Sequence, residues 1–102
     1  MNAVAGFFSR YPEISKQTFS HESDLIEIFV CKDENKYRYA FRFRLGTLFR
    51  SEYQTEGAAF ATNRLALSVA REQILKICRG HKKTFARLQQ THFIEIDQLQ
   101  LF

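Results

Sequence analysis

The chain has 102 residues, 45% of them hydrophobic and 25% charged, and a formal net charge of +4. That is the size and composition of one globular domain with a single core. Four glycines and one proline argue against a disordered chain, and no apolar run approaches the ~20 residues that a membrane helix needs. The charge is segregated: residues 64–90 carry seven Lys or Arg against Glu72 alone, and residues 32–50 carry six against Asp33 and Glu34. Such basic segments suit a nucleic acid or another polyanion, although ordinary helix surfaces also collect lysine and arginine.

Residues 1–23 read as an N-terminal arm. Phe7, Phe8, Tyr11 and Ile14 approximate a helical spacing up to the break at Pro12. The arm is expected to dock its aromatics on the core, or else to contribute to a dimer. The apolar patch from Ala3 to Phe8 is too short for a secretory signal and lacks a preceding positive side chain.

Asp24 to Cys31 is β-branched and reads as a strand, Lys32 to Lys36 as a turn, and Tyr37 to Leu45 as the returning strand. In that second strand Tyr37, Tyr39, Phe41, Phe43 and Leu45 alternate with Arg38, Ala40, Arg42 and Arg44. Successive strand residues point to opposite faces, so one face is aromatic and the other basic. Placing Ile26, Ile28 and Val30 beside the aromatics requires paired residue numbers with an odd sum. A four-residue loop, Asp33 to Lys36, satisfies this and sets Glu27 opposite Arg42. A two-residue Asp33-Glu34 loop also satisfies it but lacks the Asn-Gly or Asp-Gly chemistry of tight hairpins.

Gly46 ends or bends this strand, and Thr47 to Tyr53 reads as a third strand. A loop containing Gly57 leads to Thr62, a good helix N-cap. Asn63 to Arg79 follow without Gly or Pro, and Gly80 stands where a left-handed C-terminal residue belongs. Ala66, Leu67, Ala70, Ile74 and Ile77 fall on one side of this helix, and two alanines predict a close approach to the sheet. His81 to Leu88 is a second short helix or a continuation past Gly80, and Phe93 to Ile96 reads as a final strand. Leu99, Leu101 and Phe102 either pack back or cover a partner. The predicted domain is therefore a 24–79 β-β-β-α unit with a 1–23 arm and an 80–102 extension. Its fold class is α+β: a mainly antiparallel three- or four-stranded sheet with one long helix on one face.

No nucleophile turn, Gly-rich phosphate loop or paired metal-ligand spacing is present. His21, His81 and His92 are scattered, and Asp24/Glu27 and Glu95/Asp97 flank strands with nothing to converge them. The expectation is a non-enzymatic protein without metal or cofactor. Cys31 and Cys78 sit in apolar runs and read as buried free thiols, in keeping with a reducing, cytoplasmic setting.

The basic sheet face is the first binding candidate. Arg38, Arg42 and Arg44 would hold phosphates and Phe29 would stack on a base, with Lys82, Lys83 and Arg87 joining if the helix end lies nearby. The plainer reading is a wet sheet face on which Glu27 and Arg42 form an ordinary cross-strand ion pair. Assembly is the second candidate: Leu25, Phe29, Cys31 and Ala40 share that face, and the third strand exposes an edge that a homodimer or another protein partner could bury. The element order, with Phe60-Ala61-Thr62 opening a helix that carries Ala66, Ala70 and Ile74, resembles the β-β-β-α accessory proteins of phages, plasmids and integron gene cassettes. It is also loosely similar to the β-β-β-α domains of antitoxins. Over residues 25–79 the resemblance implies a mobile-element accessory protein, and it transfers no functional residue.

Overall fold

The computed structural model describes residues 3–94, with side chains from residue 6 onward. The aromatic–basic alternation becomes β3 (Lys36–Leu45), with β1 (Glu13–His21), β2 (Asp24–Asp33) and β4 (Leu48–Tyr53) completing the strands. They form one antiparallel sheet in the order β1-β2-β3-β4. α1 (Ala3–Arg10) precedes the sheet, and α2 (Asn63–Arg79) and α3 (Lys82–Gln90) follow it. The α+β class expected from the sequence is the class observed.

The β2–β3 register pairs Glu27 with Arg42, Ile28 with Phe41 and Ile26 with Phe43, as face parity requires. The loop is shorter than expected, because Asp33 pairs with Lys36 and leaves only Glu34 and Asn35 in the turn. All three hairpins are of this two-residue kind, with loops 22–23, 34–35 and 46–47. Their first residues have φ of 57° at Glu22, 57° at Glu34 and 64° at Gly46. A tight hairpin needs that left-handed residue to match the strand twist. Here two glutamates occupy it at a steric cost that a glycine would avoid.

β1 lies in the segment read as an arm. Its polar residues hide it from an alternation test: only Phe19 among Ser15, Gln17 and Phe19 brings apolar area to the helix side of the sheet.

The main core lies between the sheet's aromatic face and α2 with α3. Ile26, Ile28, Phe41, Phe43, Leu45, Ala70, Ile74, Cys78, Leu88 and Phe93 are all buried there, while Tyr39 and Ile77 are only partly buried. Ala66 and Ala70 are fully buried, which is the close approach predicted for α2. Thr62 caps α2 by accepting from the Leu65 N–H at 3.1 Å. Gly80 is right-handed (φ −75°), contrary to expectation, and the break comes at His81, whose φ of −137° and ψ of 100° start α3 as a separate helix. Phe93 and Ile94 lie outside any strand, whereas Glu95, Ile96, Leu99, Leu101 and Phe102 lie outside the described residues.

Candidate functional site

The outer face of the sheet, away from α2, divides into two halves. Its residues form rows across the four strands: Ser20, Leu25, Arg44, Phe49; then Thr18, Glu27, Arg42, Ser51; then Lys16, Phe29, Ala40, Tyr53. The helical spacing of Phe7, Phe8 and Tyr11 lets α1 cover the far end of this face. Phe7 and Tyr11 join Phe29, Cys31 and Ala40 in a second, smaller buried cluster, with Phe8 and Tyr53 at its rim. Phe8 meets Phe29 edge-on at 5.3 Å between ring centroids, and Phe7 lies 5.4 Å from Tyr53. The arm therefore docks its aromatics, but on the basic side of the sheet.

This corrects the role expected of Phe29, which is only 7% exposed and has no ring face to offer a base. Arg38 is also committed. Its Nε donates to Asp33 Oδ2 at 2.8 Å, Nη1 reaches the Gln54 carbonyl at 3.4 Å, and the guanidinium lies over Tyr11.

Arg42 and Arg44 lie in the half that α1 leaves open. Glu27 sits between two cations: Arg42 Nε donates to it at 2.6 Å and Lys16 Nζ lies 3.0 Å away. The bonded Arg42 guanidinium and Lys16 outweigh burial and hold the Glu27 carboxyl below its ordinary 4.5. Both cations also lie over the Phe29 ring at 5.7 Å. The trio keeps one net positive charge on the strip. Arg44 adds another, and it has no hydrogen-bond or ion-pair partner among the described residues.

Beside Arg44 across the ladder stands Phe49, 62% exposed. Leu25, Glu27, Arg42, Arg44 and Phe49 line a depression of about 270 Å³ together with Phe43. Sequence reasoning missed Phe49. The signal was available, since β4 pairs antiparallel with β3 and puts Phe49 on the same face as Arg44.

Lys82, Lys83 and Arg87 belong to α3, on the opposite side of the sheet. Arg38, Arg42 and Arg44 therefore do not share a face with Lys82, Lys83 and Arg87. Arg87 holds the hairpin end instead: its Nη1 lies 2.9 Å from Asp24 Oδ2, and the Gly46 N–H donates to Oδ1 at 2.9 Å. Burial disfavours the charged Asp24 carboxyl, but the Gly46 N–H, Arg87 and His21 together hold it below its ordinary 3.8. A Cβ at Gly46 would come within 2.9 Å of Arg87 Nε.

Among the described residues no three His, Cys, Asp or Glu side chains gather as a metal would need, and no helix is long and apolar enough to cross a membrane. Burial pushes the Cys31 thiol up to about 12, with Glu13 adding to the effect, and the Cys78 thiol up to about 11. Neither is poised as a nucleophile. A further depression beside the start of α2, about 680 Å³ in volume, is lined by Thr62, Arg64, Leu65, Leu67, Ser68 and Arg71. It brings together no cluster of titratable groups. No family model, no curated protein and no solved structure matches the chain.

Proposed function

We propose that this is a non-enzymatic binding protein whose open sheet strip holds an unpaired nucleic-acid strand. The observation that carries the reading is Phe49, exposed at the sheet surface and set directly across the ladder from Arg44, whose guanidinium is unpaired among the described residues. A ring face beside an exposed guanidinium meets the two needs of a single strand, base stacking and phosphate contact. Lys16 and Arg42 extend the positive strip, and the side chains of both are nearly half exposed although they pair with Glu27. A duplex hides its base faces, so Phe49 favours unpaired bases. α1 adds a ridge ~10 Å high along one side of the strip, where a wide duplex would collide.

Three phosphate contacts to a single strand give a log–log salt slope of about −2, so affinity falls roughly twentyfold between ~50 and ~200 mM salt. Titration of labelled single-stranded RNA and DNA at those two salt concentrations tests the reading. Arg44→Glu should weaken binding to all sequences and flatten the slope by about one unit. Equal affinity for the native chain and an Arg44→Glu/Phe49→Ala double variant would remove the assignment. Two buried reduced thiols, Cys31 and Cys78, fit a cytoplasmic setting.

A further inference from the structure

β4 is an edge strand, and its main-chain groups fall into two sets. The Gln54 N–H donates to the Tyr39 carbonyl at 3.0 Å, which turns the even-numbered residues of β4 toward β3. Alternation then turns the N–H and C=O of Phe49, Ser51 and Tyr53 away from the sheet. The opposite edge, β1, is blunted by a register irregularity between Glu13 and Ser15 and follows Pro12, both of which discourage strand addition. β4 carries neither device.

The residues along β4 are self-complementary about Ser51. In an antiparallel pairing of two copies that sets Ser51 against Ser51, Arg50 of each faces Glu52 of the other. Phe49 of each then faces Tyr53 of the other. Shifting by two residues in one direction sets Arg50 against Arg50, and in the other direction Glu52 against Glu52. A shift by one residue turns the aromatic face of one sheet to the outer side of its neighbour. The charge pattern therefore selects one register and penalises its neighbours.

We propose that two copies of this chain join through β4 in that register, making a continuous eight-stranded sheet with a two-fold axis at Ser51. Main-chain hydrogen bonds form at the Ser51 pair and at both Phe49–Tyr53 pairs, and the two Arg50–Glu52 pairs fix the alignment. The proposal does not rest on nucleic-acid binding, because it uses strand-edge groups that the open strip does not require.

Sedimentation equilibrium of the full chain tests it from ~1 to ~500 µM, where a small isologous interface assembles. The native chain should move from the monomer mass to twice that mass. Arg50→Glu and Glu52→Arg should each raise the dissociation constant about tenfold or more by setting like charges opposite, and the doubly swapped chain should recover dimerisation. Should either charge variant fail to fold, Ser51→Pro serves in its place. The Ser51 N–H faces outward, so proline removes no bond of the sheet but blocks the central pair. A monomer mass at every concentration overturns the proposal, as does a dimer indifferent to Arg50→Glu, Glu52→Arg and Ser51→Pro.

Discussion

The two halves of the outer sheet face start from the same alternation and end in different states. At one end, Phe29, Cys31 and Ala40 are sealed by Phe7 of α1 and by Tyr11 just after it, and Arg38 is held by Asp33 and by the Gln54 carbonyl. At the other, Leu25, Arg44 and Phe49 stand open, with Leu25 37% and Phe49 62% exposed. A strand's alternation decides which face a side chain joins, but what covers that face is decided by another part of the chain. Phenylalanine in the covered half contributes to stability, whereas phenylalanine in the open half is free to contribute to binding.

Substitution in the covered half should have the largest effect. Phe29→Ala empties a site packed by Phe8, Lys16 and Arg42 and should cost ~3–5 kcal/mol, read as a lowered denaturant midpoint. A loss under ~1 kcal/mol would mean that α1 does not seal that half. Next comes the hairpin clamp. Asp24→Asn keeps the shape but removes the charge from the bonds to Arg87 and Gly46, and should cost ~1.5–3 kcal/mol. Phe49→Ala sharpens the contrast most directly. Stability should stay within ~0.5 kcal/mol, while single-strand affinity should fall by the ~1–3 kcal/mol of one stacked base. A stability loss as large as that of Phe29→Ala would erase the distinction between the halves.

Acid titration gives the smallest and most diagnostic effect. The folded-state pKa values of Asp24 and Glu27 lie below their ordinary 3.8 and 4.5. Their contribution is therefore complete above those ordinary values and is lost as pH falls through the depressed ones. Stability should decline below about pH 4.5, and an Asp24→Asn/Glu27→Gln chain should show a shallower acid limb in pH-dependent melting.

The sequence made β3, its register with β2 and the capped helix α2 legible, because each follows from a local rule: period two, face parity, or a threonine before an apolar stripe. β1 escaped because the side it turns to the helices is mostly polar, with Ser15 only half-buried and Gln17 exposed, so it carries no hydrophobic alternation to read. The site divided similarly. Parity correctly put Arg42 and Arg44 on the outer face, but it could not show that Phe8 would lie over Phe29 or that Arg87 would turn to Asp24. Those outcomes depend on how α1 and α3 dock, which no single strand encodes. Gly80 misled for a related reason: the start of α3 at Lys82 keeps the chain near helical geometry where an isolated helix would reverse into a left-handed residue.

The three two-residue hairpins bear on how the chain is made. Every strand pairs with its immediate predecessor in sequence, so the whole meander can zip up as each strand leaves the ribosome, with little loop-closure entropy to overcome. The sheet is complete at Tyr53, but its aromatic face has no cover until α2 has been synthesised through Arg79. At ~5–20 residues per second that leaves the face bare for roughly one to five seconds. During that interval the same open β4 edge is at its most available, so newly made chains on neighbouring ribosomes would be exposed to premature pairing when α2 is delayed.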